Sequence, residues 1–135
     1  RRRRADPLVQ LAGTRSRFME LAAGWMRPAD DEFADAAFMT GIFSLVHVLL
    51  GSTPKAVLEK LGLAPQIREA IVTHHGALGT LLRIAELAGK GGDAASIALG
   101  PDAPPEFAAL TPEVLAELNL SAAAWFGAHV EEAAA

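Results

Sequence analysis

Hydrophobic positions recur along this chain at the spacing of helices and nowhere at the spacing of strands. Between residues 7 and 25, Leu8, Leu11, Arg15, Phe18, Leu21 and Ala22 fall near one another on a 3.6-residue period, although Arg15, like Arg17 and Glu20, also reads as one of the polar residues at other positions. Gly24 and Pro28 close that helix. A second helix begins near Asp30, Asp31 and Glu32, whose carboxylates suit the positive end of a helix dipole, and it runs to Leu50 before Gly51. Its first part is amphipathic. Its later part, 39–50, is apolar nearly all round, which places it in the middle of a bundle.

Punctuation residues define the helices that follow. In STPKAVLEKLG (52–62), Ser52 or Thr53 supplies a cap, Pro54 suits the first helical position and Gly62 the exit. Pro65 opens QIREAIVTHH, with Ile67, Ile71 and His74 toward the inside and Gly76 as the stop. Gly76 and Gly79 bracket a tight connection into ALGTLLRIAELAGKGG. There Leu78, Leu81, Leu82, Ala85 and Leu87 or Ala88 are apolar, and Gly89, Gly91 and Gly92 end the helix. Asp93 caps a short turn through Leu99. Gly100, Pro101, Pro104 and Pro105 mark a surface loop, so 93–105 reads as a loop-rich insert. Thr111, Pro112 and Glu113 start the last helix, on which Leu115, Leu118, Ala122, Trp125 or Phe126 and His129 stack. The expected fold is one all-α domain over 1–135, a compact bundle of about six or seven helices.

Composition narrows the chemistry. A chain of 135 residues is one ordinary domain and buries a core without staples. The absence of cysteine removes disulfides, thiolate nucleophiles, Cys-type zinc sites and iron–sulfur ligation. The net charge of −4 advertises no nucleic-acid partner. Arg1, Arg2, Arg3 and Arg4 open the chain. No further basic cluster or interleaved aromatics follow, so they read as a solvated first turn or a boundary rather than a phosphate- or lipid-binding arm. No apolar h-region follows them either, and no signal peptide is expected. The longest apolar run, 36–50, contains His47 and falls short of the ~20 residues that span a bilayer. A soluble, cytoplasmic protein without a membrane or nucleic-acid partner is expected.

The stretch IVTHHGALG (71–79) poses the main chemical question, because the chain has only four histidines: His47, His74, His75 and His129. Neighbouring helical residues point ~100° apart, so His74 and His75 do not share a metal while both remain helical. A zinc site needs about three or four ligands, and no i, i+4 histidine pair exists. His47 and His129 would have to converge from distant helices, with a carboxylate from elsewhere. The alternative reading is that His74 and His75 end a helix, near the negative dipole end and its free carbonyls. His47 reads as a hydrogen-bonded core residue.

Other templates fail. GKGG (89–92) has Ile84 where a phosphate-binding loop has its first glycine. No G-x-S-x-G elbow exists. Asp30, Asp31, Asp35 and Glu113 sit at helix starts, where a structural role suffices. Trp125 and Phe126 read as a core anchor or a helix–helix contact. No catalytic, cofactor-binding or metal-ligating residue is assigned, and no cofactor is expected.

Several segments together resemble a known family. RSRFMELAA, followed by ADAAFMTGIFSLVHVLLGSTPKAVLEKLGLAPQIREAIVTHHGALGTLLRIAE, is similar to the C-terminal part of HDOD domains, above all those joined to EAL domains in bacterial signalling proteins. The match consists of an FMTG-type helix leading into an apolar LL segment, a P-x-x-V-L helix, a P-x-I-R-E-A-I helix and G-x-L-G opening the next. The A-x-W segment at 123–125 adds to it. The resemblance implies a helical fold related to HD-superfamily phosphohydrolases but without their metal site. Those enzymes use a His–Asp doublet, whereas Val48, His75, Gly76 and Val130 follow the four histidines here. HDOD domains run longer, so the chain is expected to be a fragment of a longer protein. The implied function is a non-catalytic regulatory or protein-interaction module in bacterial signal transduction, linked to cyclic di-GMP signalling through an EAL domain that this chain does not contain. Its implied partner is a protein or a linked output domain. Two alternatives stand beside it. One is a degenerate metal-dependent HD-type phosphohydrolase using His47, His74 or His75 with acids such as Asp35. The other is a structural dimerisation domain that forms a homodimer through the terminal helix with Trp125 and Phe126.

Overall fold

The computed structural model describes residues 7–50, 59–89, 100 and 103–134. They form an all-α bundle, with no strand among the described residues. Helix α1 spans Pro7–Met26, α2 Asp31–Leu50, α3 Pro65–Thr73, α4 Gly76–Gly89 and α5 Pro112–Ala134, and a 3-10 helix, η1, covers Pro105–Ala109. Residues 59–61 are also helical and end at Gly62, whose φ of 66° is the left-handed exit that the sequence anticipates. The starts of α2 and α5 follow the capping residues. Asp30 Oδ1 accepts from the Phe33 N–H at 3.0 Å, and Thr111 Oγ1 accepts from the Val114 N–H at 3.3 Å. None of the described helices is long and apolar enough to cross a membrane.

The apolar run of α2 suggested the central helix. Among the described residues α1 shares that place, touching α2, α4, α5 and η1. Its buried residues, Ser16, Phe18, Met19, Ala22 and Ala23, lie on more than one face. Helix α2 packs on α1, α3 and α4 and leaves Met39 39% exposed. A hydropathy pattern misses this because two positions that bury α1 are polar, Arg15 and Ser16.

Helices α1 and α2 approach through small residues. A Cβ on Gly41 would stand 2.5 Å from the Ser16 Cα and 2.9 Å from its nitrogen. The hydroxyls buried in this seam are satisfied on their own helices. Ser16 Oγ donates to the Gly13 carbonyl at 3.0 Å, Thr40 Oγ1 to Ala36 at 2.7 Å and Ser44 Oγ to Gly41 at 2.8 Å. Helix α5 packs on α1 in the same way, with the Phe126 ring seated directly on Gly13. The Trp125 ring meets Phe38 of α2 edge-on at 6.3 Å, and the Arg17 guanidinium lies 5.3 Å from its centroid. The aromatic pair of α5 is therefore a helix–helix contact.

Helix η1 was not anticipated. The expected loop-rich insert, 93–105, lies mostly outside the described residues, but the chain just beyond it turns inward. Phe107 and Leu110 are completely buried in the main core. Two side chains hold η1 against α1: Trp25 Nε1 donates to the Ala109 carbonyl at 3.0 Å, and Arg27 pairs with Glu106.

The Ser16–Gly41 approach gives a test of opposite signs. Gly41→Ala pushes a methyl into backbone, and overpacking of this kind is expected to cost about 1–3 kcal/mol. Gly24→Ala, in α1 with nothing within 4 Å of the new Cβ, is expected to stabilise by about 0.5–1 kcal/mol. Urea midpoints at unchanged m-value read both. A Gly41→Ala protein as stable as wild type would mean that the helices do not cross this closely.

Candidate functional site

The sequence IVTHHGALG folds as a sharp reversal between α3 and α4. Helix α3 ends at Thr73, two residues before His75, the expected last residue of the helix. His74, not a glycine, takes the left-handed position, with φ 54° and ψ 37°. The N–H groups of His74 and His75 bond to the carbonyls of Ala70 (3.0 Å) and Glu69 (3.4 Å), which closes the helix end. Gly76, φ 75°, then starts α4. Gly79 lies against the His74 carbonyl so closely that a Cβ has no room, which accounts for the second glycine of G-x-L-G.

The two histidines diverge. His74 is half-buried, and its Nε2 lies 2.7 Å from Glu86 Oε1 on α4. The ring was expected near the free carbonyls of its own helix; it turns instead to the carboxylate of the next. Glu86 also acts on Arg15, whose Nη1 donates to Ser44 Oγ at 3.2 Å. Burial lowers the Arg15 pKa from the ordinary guanidinium value, and the Glu86 charge opposes that shift. Ser44, Arg15, Glu86 and His74 thus carry polar character from α2 through α1 and α4 to the α3–α4 turn. Hydropathy gave no sign of Arg15 or Glu86 in this role; the only available signal was a charged residue at position 15 within the apolar spacing of α1.

His75 is exposed and faces the other way. With Arg27, Asp30, Glu32, Phe33 and Glu69 it lines a cleft of about 290 Å³, with Leu78 also on the lining. The cleft lies where the α1–α2 turn, α3 and the start of α4 meet. Arg27 donates from Nε and Nη2 to the two carboxylate oxygens of Glu106, at 2.7 and 3.0 Å, and stacks 4.0 Å over the Phe33 ring. The hydrogen bond from Arg27 holds the Glu106 carboxyl below the usual glutamate range and raises the pKa of Arg27 in return.

No metal-binding constellation forms among the described residues: no three of His, Cys, Asp and Glu stand where they could hold one ion. Asp35 is exposed on α2 and does not line the cleft that His75 lines. Asp30 and Thr111 act as helix caps, and Asp31, Glu32 and Glu113 occupy first turns. The side chains of His47 and His129, all of Arg1, Arg2, Arg3 and Arg4, and residues 90–92 of GKGG lie outside the described residues. No family model, curated protein or solved structure matches the chain.

The Arg27–Glu106 pair predicts a pH signature. A carboxyl with a depressed folded-state pKa stabilises the fold above its unfolded pKa and loses that contribution as pH falls through the folded value. Both side chains are about one-third exposed, at 38% and 30%, so screening limits the effect to about 0.5–1 kcal/mol. Glu106→Gln is expected to lie below wild type by that amount at pH 7 and to converge with it below the usual glutamate range. Thermal or urea unfolding across pH 3 to pH 7 measures the gap. A gap of constant size at every pH would remove ionisation of Glu106 as its cause.

Proposed function

We propose that the chain is a non-catalytic regulatory module of HDOD type, acting in the bacterial cytoplasm by contact with a protein partner or a linked output domain. The observation that carries this reading is the work done by the residues that make the resemblance. Gly41 of FMTG is the crossing point of α1 and α2, and Thr40 bonds to its own helix. Gly79 of G-x-L-G admits the His74 carbonyl, and the His74 ring is engaged with Glu86. Trp125 of A-x-W joins α5 to α2. These described motif positions serve helix packing, as suits a fold whose output comes through contact.

The family resemblance supports cyclic di-GMP signalling as the setting, with an EAL domain as the linked output. The phosphohydrolase alternative requires His47, His74 or His75 to share a metal with an acid such as Asp35. It draws no support from His74, paired with Glu86, or from His75, whose cleft Asp35 does not line.

Two measurements test the proposal. The chain, purified without a histidine tag and exposed to zinc and manganese, is expected to retain far less than one metal ion per molecule; tight stoichiometric metal would overturn the reading in favour of hydrolase chemistry. Attached to an EAL phosphodiesterase domain, it is expected to change the rate of cyclic di-GMP hydrolysis or the oligomeric state. A fusion that behaves like the isolated EAL domain on both counts would sink the regulatory role.

A further inference from the structure

Arg15 of α1 is a buried cation that packing leaves short of partners. The residue is 9% exposed. Its Nη1 donates to Ser44 Oγ at 3.2 Å, and its Nε is buried with no hydrogen-bond partner. Among the described residues no carboxylate forms an ion pair with it. Glu86 acts on it at longer range, with one carboxylate oxygen held at 2.7 Å by His74 Nε2. A cation taken this far out of water is costly unless its charge is compensated.

Arg15 lines a small cavity of about 30 Å³ where α1, α4 and α5 meet. Leu11, Thr14, Arg15 and Phe18 face it from α1 at helical i, i+3, i+4, i+7 spacing, with Ala85 from α4 and Asn119 from α5. Thr14 and Asn119 are half-buried, and neither side chain has a hydrogen-bond partner. The polar side chains on the described lining are therefore a guanidinium, a hydroxyl and an amide, with no carboxylate among them. A hydroxyl and an amide both donate, and donors gathered beside a cation with no acid suit an anion. A cavity of this volume holds a guest the size of about one water. A monatomic anion fits that space and a tetrahedral oxyanion does not. Leu11, Phe18 and Ala85 supply the apolar walls. We propose that this cavity is a site for one monatomic anion of the chloride class, held by the Arg15 charge and by hydrogen bonds from Thr14 Oγ and Asn119 Nδ2. The ion ties α1 to α5 beside α4, and so links the packing of the bundle to halide concentration.

Urea unfolding of the intact chain at constant ionic strength tests this, with gluconate replacing chloride, because gluconate is too large for the cavity. A single site on the folded chain makes the folding equilibrium constant rise about tenfold for each tenfold rise in chloride above the dissociation constant. Bromide is expected to act as chloride does, and sulfate is not. Chloride NMR linewidths, broadened by the folded chain and sharpened again by added bromide, report the binding directly. Asn119→Ala and Thr14→Val each remove one donor at a half-buried position. Each is expected to weaken chloride binding about tenfold or more, the worth of one hydrogen bond to a charged group. Arg15→Met is expected to abolish binding; if that variant does not fold, the two donor variants carry the test. Equal stability in chloride and gluconate would assign the cavity to water and overturn the proposal. A chloride effect that Asn119→Ala and Thr14→Val leave at full size would overturn it too, as a general effect of salt.

Discussion

The close crossing of α1 and α2 at Ser16 and Gly41 governs the rest of the bundle. Two helix backbones meet there with no side chain between them. That contact fixes how far apart the axes lie and therefore which later residues touch. Because α1 is held tightly on one side, its remaining faces stay available to α4, α5 and η1. Phe126 repeats the device at Gly13, placing an aromatic ring where a larger residue on α1 would hold α5 away. The seam is polar in composition: each buried hydroxyl donates to a carbonyl of its own helix, and Ser44 also accepts from Arg15 across it.

The turn at 73–76 is the second constraint, and it sets the position of the polar groups. A left-handed conformation costs an ordinary residue about 1–2 kcal/mol, so a glycine would be the natural occupant. Histidine stands there instead, and its side chain reaches Glu86. Gly79 in turn lets the start of α4 close on the His74 carbonyl, which brings Glu86, two turns along the same helix, alongside the ring. The polar line from Ser44 to His74 thus depends on both glycine contacts: Gly41 places Ser44 against α1, and Gly79 places His74 against α4.

Helix boundaries marked by chemistry were legible in the sequence. Asp30, Gly62 and Thr111 stand where their side chains or backbone freedom predict, and the apolar spacing identifies α1, α2, α4 and α5. Features set by contacts between distant segments were not legible. Pro104 and Pro105 mark a loop at the start of PEFAA, and nothing local says that Phe107 and Leu110 will enter the core. Arg15 counts as polar on any scale, yet it is buried between Ser44 and the Glu86 charge. The doublet at 74–75 drew attention as a possible metal pair. Its two rings point to different surroundings because the backbone reverses at His74, which helical geometry does not describe. The acidic cleft was equally hidden, since Asp30 and Glu32 lie far in sequence from Glu69.

A resemblance carried by packing residues constrains geometry more firmly than chemistry. The glycines of FMTG and G-x-L-G are explained by what a side chain at those positions would strike, whatever the bundle goes on to do. The same scaffold could hold a metal between its helices or hold none, since neither glycine contact concerns a ligand. Among the groups that packing leaves over in the described part of this chain are the exposed carboxylates and His75 around the cleft at the α1–α2 turn. The Arg27–Glu106 pair makes that surface continuous with the core, because η1 carries both Glu106 and the fully buried Phe107. A partner that drew Arg27 away from Glu106 would loosen η1 from α1, and this gives contact at the cleft a physical route into the packing of the whole bundle.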